Sequence, residues 1–427
     1  MTQVTSLARS SDRATALSQL LELRPALQAS NWWQELREQA AARVQEMAIP
    51  SSRDEDWRFT DLSPLLQVEF QATSARTEAI EPSSIPEAAQ SCLVFVNGTF
   101  APQLSSVEMP EGVSIASLSQ SNSEHLQPYL GRQQGADEVF TSLNTASFTD
   151  AAVVQIARNA IVETPIHLVF ISHTSSQAIV QPRALVVAEA NSSVAIVEEY
   201  LGFGEDVYFT NAVTEIWLEA NARIDHTRIQ RENSAAFHIG KTAVSQDRDS
   251  HYACRAVNLG AKLSRHNLEV YQTGSQTETV MDGLTIARDN QLSDTHSILA
   301  LTQPYGTSSQ IHKCIVDDRA HAVFNGKVFV PKAAQKTNAN QVNRNLLLSP
   351  KARVDTKPQL EIVADDVRCT HGATVGQLEA DEVFYLQSRG IDAATARRLL
   401  TTAFAYEIID RISIPSVRET LGGLISP

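Results

Sequence analysis

The middle of the chain, residues 150–376, alternates short runs of β-branched and other apolar residues with small polar turns. The runs 184–187 and 194–197 are almost continuously apolar, which is typical of strands covered on both faces. Stacked coils of such strands bury a continuous core between neighbours. The polar turns recur at intervals of about thirty residues or multiples of it: 189–193, 219–222, 288–290, 317–319 and 349–352. The pattern predicts a parallel β-helix.

A β-sandwich built from hairpins is the alternative architecture for this region. Short hairpins favour Asn-Gly and Asp-Gly turns, and the region contains only Asp282-Gly283 and Asn325-Gly326. The β-helix is therefore the preferred prediction.

Residues 1–90 are predicted to form a helical domain and a linker. From Asn31, a candidate N-cap, apolar residues recur every three or four positions until Pro50 ends the helix. They are Trp33, Leu36, Ala40, Val44 and Met47. Residues 1–20 are rich in Ser, Thr and Ala, and a polar, frayed start is preferred there over a transit peptide.

Two further N-terminal segments lack helical periodicity. Segment 52–62 is charged and carries Trp57 and Phe59, which predicts a loop held to the surface by these two aromatic side chains. Residues 71–91 are rich in Ser, Ala, Glu and Pro and are predicted to be the linker. A β-rich region, 91–376, follows, with the β-helix core at about 150–376.

Residues 377–427 are predicted to form a second helical domain that stands apart from the β-rich body. One helix covers 379–388 and stops at Gly390, and Asp392 caps the next helix. The apolar face of that helix is predicted to carry Ala396, Leu399, Leu400, Ala403, Phe404 and Ile408. A short polar tail closes the chain.

Composition excludes several functional classes. The chain has 427 residues, 43% of them hydrophobic, and a net charge of −14. This charge argues against nonspecific binding to nucleic acid or to an anionic membrane. Apolar runs such as 166–171 are far shorter than the ~20 residues that span a bilayer. The four cysteines are widely spaced and do not form a disulfide framework, so a cytoplasmic location is expected.

The sequence contains no complete catalytic motif. GxSxG, P-loop, HExxH and GxGxxG patterns do not occur. Asp365 and Asp366 are adjacent, so on a strand they point to opposite faces and make a poor acid–base pair. The chain is therefore predicted not to be an enzyme. A β-helix polysaccharide lyase or hydrolase would need a carboxylate cluster, and a stand-alone metal carrier would need a complete ligand shell.

Cys369 and His371 are the residues with the clearest chemical potential. A thiolate and an imidazole bind soft or borderline metals, and on a strand residues two apart share a face. One Cys and one His do not complete a mononuclear site. Either the pair is incidental, with Cys369 simply buried, or it supplies part of a site that a second chain completes.

Several separated segments form an ordered set: 52–62, 321–327, 334–337, 345–348, 357–362, 364–367, 369–376 and 384–390. In this order they resemble the SufD family of iron–sulfur cluster assembly subunits. The match is dense over residues 310–410. In the β-rich part before residue 310, only the general alternation of β-type runs and polar turns matches. The resemblance implies a right-handed parallel β-helix core between N-terminal and C-terminal helical domains.

The related SufB family is distinguished at one position. SufB proteins carry a Cys-Asp-Ser-Leu segment whose cysteine receives sulfur, and the corresponding residues here are Asn343, Arg344, Asn345 and Leu346. Because persulfide chemistry needs a thiolate, residue 343 cannot perform it. The Cys369-Thr370-His371 pattern is that of SufD.

The resemblance also implies partners and a role. It implies a non-catalytic scaffold subunit of a SufBCD complex, which pairs with SufB as a heterodimer and docks the SufC ATPase through its C-terminal helices. When the chain is alone, a homodimer is predicted, because an exposed β edge invites pairing and the partner surface would be homologous. The implied cofactor is a transient iron–sulfur cluster shared with SufB, with none held tightly by the isolated chain. His371 is the first candidate ligand and Cys369 the second.

Overall fold

The computed structural model of the protein describes residues 2–26, 32–73, 80, 84–108, 111–121 and 124–425. Asn31, the predicted helix cap, lies outside the described residues, as do 74–79 and 81–83 of the predicted linker. Within the described part of the chain, no helix is long and apolar enough to cross a membrane.

The described residues form seven α-helices, which lie mostly at the two ends of the chain. They are α1 Thr2–Glu22, α2 Trp32–Gln45, α3 Ser63–Leu66, α4 Val139–Ser147, α5 Ala380–Ser388, α6 Ala393–Ile409 and α7 Pro415–Ile425.

Two of these helices replace irregular structure that the sequence predicted. Leu17 and Leu21 are buried one helical turn apart on α1, so the prediction of a frayed start was wrong. Val417, Leu421 and Ile425 are likewise buried on one face of α7, so the prediction of a polar tail was wrong. In both segments the apolar residues form only a narrow stripe along the helix. The many polar residues between them hide the helical pattern in the sequence.

Strands make up most of the remainder. They are β1 Gln71–Ala72, β2 Ser91–Val96, β3 Thr99–Phe100, β4 Ser106–Val107, β5 Val113–Ser117, β6 Ala152–Ile156, β7 Ile166–His173, β8 Ala178–Val180, β9 Arg183–Ala188, β10 Ser193–Phe203, β11 Tyr208–Leu218, β12 Arg223–Arg231, β13 Phe237–Gln246, β14 His251–Asn258, β15 Leu263–Gln272, β16 Glu278–Ala287, β17 Leu292–Ala300, β18 Thr307–Val316, β19 His321–Val330, β20 Asn338–Leu347, β21 Arg353–Ile362 and β22 Arg368–Gly376.

The strands from β6 onward form two stacked parallel sheets. The first sheet runs β6, β9, β11, β13, β15, β17, β19 and β21, and the second runs β7, β10, β12, β14, β16, β18, β20 and β22. Except for β8 and β9, which both pair with β11 in the first sheet, successive strands alternate between the sheets. The chain therefore winds through about eight coils, and each strand pairs with one about thirty residues later. The parallel β-helix is confirmed and the hairpin sandwich is excluded.

Residues with left-handed backbone conformation mark the repeated turns. Asn191, Asn221, Asp289 and Asp318 have φ values of 63°, 58°, 56° and 50°. Asn and Asp tolerate this region better than other residues with a side chain. The turns also bond to one another, because Asn221 Nδ2 donates to Asn191 Oδ1 at 3.1 Å.

The N-terminal helices pack on the outer face of the first sheet. Trp57 contacts Phe140, with 5.4 Å between ring centroids, and the Arg265 guanidinium lies 3.8 Å from the Trp57 centroid. Thr60 donates a hydrogen bond to Asp294 of β17. These contacts confirm that Trp57, which is half-buried, holds the charged segment to the body; Phe59 is half-buried as well.

The C-terminal helices α6 and α7 pack on the outer face of the second sheet. Ile408 and Leu421 join an apolar cluster with Leu284 of β16. Lys313 Nζ of β18 donates to the Phe404 carbonyl at 3.0 Å. The sequence predicted that the C-terminal helices would stand apart from the β-rich body. For α6 and α7 this prediction was wrong. The outward-facing apolar side chains of the second sheet require this cover.

The start of α6 agrees with the sequence, but its predicted apolar face agrees only in part. Asp392 Oδ1 accepts from the Ala394 and Thr395 backbone N–H groups at 3.0 Å each, so the predicted cap is confirmed. Ala396 and Ile408 are fully buried, whereas Leu399 is 46% exposed.

Candidate functional site

The β-helix ends in two strands that have a partner on one side only. Strands β21 and β22 are the last members of the two sheets, and no described strand pairs with their outer edges. Ile362, Val363 and Val375 are exposed there by 38%, 58% and 49%. We refer to β21 and β22 as the open end.

Cys369 and His371 both lie on β22. They pair in parallel register with Ala339 and Gln341 of β20, which are buried inside the coil. The two candidate ligands therefore lie on the inward face of the last strand, on the same side, as the two-residue spacing predicted. We call these two residues the half-site.

The two members of the half-site differ in exposure. Cys369 is half-buried and packs against the main core cluster, whereas His371 is exposed. Burial raises the pKa of the Cys369 thiol, although a hydrogen bond with the Ala339 backbone acts in the opposite direction. The thiol is therefore held in its protonated form, in which it is a poor metal ligand.

Within the part of the chain that the structure describes, a third ligand does not join them. Among the described residues, no group of three or more His, Cys, Asp or Glu side chains is placed to hold a metal ion. The stand-alone metal carrier, considered as an alternative from the sequence, thus has no ligand set in that part of the chain.

Side chains of β20 fix the strand that carries the half-site. Thr370 Oγ1 donates to Asn340 Oδ1 at 2.8 Å on the outward face. Asn345 Nδ2 donates to the Thr374 carbonyl at 2.9 Å. These bonds supplement the parallel backbone ladder and hold an otherwise exposed edge strand in register.

Asn343, which the sequence analysis compared with the SufB cysteine, is fully buried in the coil. Its Nδ2 donates to the His312 carbonyl at 3.1 Å, and its Oδ1 accepts from Asn345 Nδ2 at 2.6 Å. It is therefore a structural amide in this chain.

A buried polar network fills the interior of the middle coils, and sequence reasoning did not detect it. His226 Nε2 lies 2.9 Å from Glu198 Oε2, and His226 Nδ1 lies 3.0 Å from the Tyr252 hydroxyl. In the neighbouring part of the network, His238 Nδ1 lies 2.6 Å from Glu232 Oε2.

The network contains balanced charges. Burial opposes ionisation of Glu198, but hydrogen bonding and attraction from His226 outweigh it and lower its pKa to about 2. Burial also opposes a charged His226, yet its bonds to Cys254 and Glu198 raise its pKa to about 10. The Arg228 guanidinium donates to His238 Nε2 at 2.6 Å and supplies a second cation.

Glycines make room for the inward polar side chains. A Cβ atom at Gly240, Gly283 or Gly326 would collide with the side chains of His238, His312 or Gln341 respectively. Glycine inside a strand is unfavourable unless another group approaches closely. These glycines were the available sequence signal for a polar interior.

A second exposed surface lies on the C-terminal helices. Phe384 and Tyr385 of α5 are 69% and 58% exposed, and Leu399 of α6 is 46% exposed. The Arg389 guanidinium lies over the Tyr385 ring at 5.3 Å from its centroid. These apolar side chains contribute little to the described core, so they are available to a partner.

Family comparisons agree with this architecture over most of the chain. Residues 170–404 match the family model described as SUF system FeS cluster assembly, SufBD core domain, and residues 23–168 match the SufBD protein N-terminal region.

Relatives extend over nearly the full length. An iron–sulfur cluster assembly SufBD family protein of Synechocystis is 48% identical over 406 residues, covering 91% of this chain and 90% of that protein. The Arabidopsis thaliana protein ABCI7, chloroplastic, is 35% identical over 404 residues, covering 90% and 84%. The iron–sulfur cluster assembly protein SufD of Escherichia coli is 30% identical over 391 residues, covering 89% and 90%.

Proposed function

The chain belongs to the SufBD family of SUF-system iron–sulfur cluster assembly proteins, and from this premise we propose that it is a SufD-type scaffold subunit. In this role it presents surfaces and ligands to other subunits and catalyses no reaction itself. The observation that carries the proposal is the position of Cys369 and His371 on the last strand of the open end.

The open end is the proposed contact with a SufB subunit. An edge strand presents unpaired backbone N–H and C=O groups, and a second β-helix can continue the sheets by pairing with them. The exposed apolar side chains Val363 and Val375 would be buried by that contact. When no SufB is present, a second copy of this chain can use the same edge, which gives the proposed homodimer.

The half-site is proposed to hold a transient iron–sulfur cluster as cargo together with ligands from SufB. Two ligands from this chain are too few to hold the cluster tightly, which suits a cluster that must be passed on. His371 is the first candidate because it is exposed and binds iron as a neutral imidazole. Cys369 is second because burial raises the pKa of its thiol.

The C-terminal helices are proposed to dock the SufC ATPase. The exposed side chains Phe384, Tyr385 and Leu399 give this surface aromatic and aliphatic anchors. Since α6 and α7 are packed on the second sheet, movement of a docked ATPase would be transmitted to the β-helix. A cytoplasmic location is proposed because all four cysteines are free, as in a reducing compartment.

The test is reconstitution with the SufB and SufC subunits of the same organism. We expect His371→Ala to lower the iron and sulfide content of the purified complex by about tenfold or more, with subunit ratios unchanged. Cys369→Ala should lower it less. The matched control is His125→Ala, because His125 is an exposed histidine far from the open end in sequence. Wild-type cluster content in His371→Ala would refute the proposed half-site.

A further inference from the structure

Gln341 lies directly opposite His371 in the parallel register of β20 and β22. Its side chain points into the coil and is 1% exposed. Neighbouring parallel strands are about 4.8 Å apart, so the two side chains start from adjacent points on the same inward face. Gln341 is therefore the polar side chain that the fold places directly beneath His371.

A chain of hydrogen bonds engages the nitrogen of the Gln341 amide. Gln310 Nε2 donates to Ser297 Oγ at 2.8 Å, so the Gln310 oxygen is turned toward the next coil. Gln341 Nε2 then donates to Gln310 Oε1 at 2.8 Å. In this arrangement the amide nitrogens of Gln310 and Gln341 both donate, so the bonds run in one direction from Gln341 to Ser297. It leaves the Gln341 oxygen as its last acceptor.

That acceptor is buried and without a partner. Gln341 Oε1 has no hydrogen bond within the described structure, whereas Nε2 of the same amide donates to Gln310 Oε1. A buried polar atom left unpaired is destabilising, so a donor is expected at this point. Gly326 leaves the space that the Gln341 amide occupies, since a Cβ atom there would overlap it.

We infer that Gln341 is a positioning residue for His371: its amide oxygen accepts the N–H of one imidazole nitrogen. The bond forms when the His371 ring turns inward, and it fixes one neutral tautomer with the lone pair of the other nitrogen free. Histidines that bind metals ordinarily donate their second N–H to such an acceptor, which sets the orientation of the ring. This inference rests on the proposed function of His371 and extends it to the residue that orients the ligand.

The experiment reads the tautomer directly in the isolated full-length chain without metal. With ¹⁵N-labelled histidine at pH 8.5, where a free imidazole is neutral, long-range ¹H–¹⁵N correlation shows which ring nitrogen carries the proton. The His371 signals are identified by their loss in His371→Ala. We expect one dominant tautomer for His371, with its ring N–H protected from exchange with solvent.

Gln341→Met removes the acceptor and keeps a similar side-chain volume. We expect both ring nitrogens of His371 to move to the averaged shifts of a tautomer mixture. Gln310→Met should have the same effect in weaker form, since it frees the Gln341 amide to flip. Thr370→Val is the matched control, because it removes a hydrogen bond on the opposite face of the same strand. It should leave the His371 tautomer unchanged.

Two results would overturn the inference. One is a tautomer mixture for His371 in the wild-type chain, as expected if a water molecule bonds to Gln341 Oε1 instead. The other is an unchanged tautomer in Gln341→Met, with the signals of buried His226 and His238 showing that the variant is folded. Both readouts are independent of cluster content. An unchanged cluster content in His371→Ala would refute the proposed half-site, whereas these results concern only the role of Gln341.

Discussion

The two ends of the β-helix differ in cover and in chemistry. At the first end, β5 pairs antiparallel with β6, and β3 and β4 pair antiparallel with β2, so short strands cover the beginning of both sheets. The interior there is aromatic, with Phe95, Phe170 and Tyr200 in successive contact at 5.5 and 5.3 Å. At the open end no described strand pairs with the outer edge of β21 or β22, and the interior carries amide side chains.

This difference separates the part of the molecule that stabilises the fold from the part that is available for assembly. Antiparallel cover is one of the ways in which proteins protect sheet edges from uncontrolled pairing. The first end has that protection, whereas the open end has exposed apolar side chains beside the half-site. The open end therefore has the features that support the interface proposed above.

The largest expected difference is in the cost of removing a core side chain. Phe170 is 3% exposed and stacks on Tyr200 inside an early coil, so Phe170→Ala should lower the free energy of unfolding by about 3–5 kcal/mol. Val375→Ala at the open end should change it by less than about 0.5 kcal/mol. Urea unfolding of the isolated chain measures both. Equal losses would show that the open end is part of the stabilising core.

The buried charges between the two ends should produce a comparably large effect. His226→Leu leaves the Glu198 carboxylate buried without its partner, which costs about 3–5 kcal/mol. Glu198→Gln in the same background should restore part of that loss, because it removes the unpaired charge. Urea unfolding of the single and double variants measures the coupling. A double variant no more stable than His226→Leu would contradict the proposed charge pairing.

The same pair predicts the pH dependence of stability. The folded pKa of Glu198, about 2, is below its ordinary value. Its stabilisation is therefore present above about pH 4.3 and is lost as pH falls toward 2. The folded pKa of His226 is raised to about 10, so its stabilisation is present below about pH 6.5 and is lost as pH rises toward 10. A wild-type stability that stays flat from pH 7 to 10 would contradict a charged His226.

The architecture could be predicted from the sequence because its signals are local. The apolar run 194–197 and turn residues such as Asn191 and Asn221 lie in short windows, and their spacing repeats. Helix α7 was missed because its sequence has few apolar residues and contains a Gly-Gly pair. The packing of α6 and α7 on the second sheet could have been anticipated, since strands apolar on both faces need cover outside as well as inside.

The candidate site could be predicted only in part. Cys369 and His371 are two residues apart, so strand geometry alone places them together. Gln341 is opposite His371 only because of the coil length, which the degenerate repeat does not fix to a single residue. The contact of Glu198 with His226 depends on the same register. Such contacts become visible once the pairing of strands is known.

A smaller effect is expected at the repeated turns, which have the same form along the coil. Asn221 is exposed with φ 58° and bonds to the Asn191 side chain. Asn221→Ala should lower the free energy of unfolding by about 1 kcal/mol, because a Cβ-bearing residue without a polar side chain disfavours the left-handed region. Asn221→Gly keeps that conformation accessible and should cost only a few tenths. Chemical unfolding distinguishes the two, and equal losses in the two variants would show that the side-chain bond, which both of them lack, dominates over backbone strain.

The smallest effect on stability, and the most specific effect on assembly, is expected for a charge placed at the open end. Val375→Lys should change the free energy of unfolding by less than about 0.5 kcal/mol, because Val375 is 49% exposed. It should nevertheless weaken self-association of the isolated chain in sedimentation equilibrium. In a symmetric dimer through the open end, each copy would bring one buried or repelling ammonium group to the contact. Ile161, which is 68% exposed near the first end, offers the matched control Ile161→Lys. If Ile161→Lys weakens self-association and Val375→Lys does not, the interface lies at the other end of the β-helix and the comparison must be reversed.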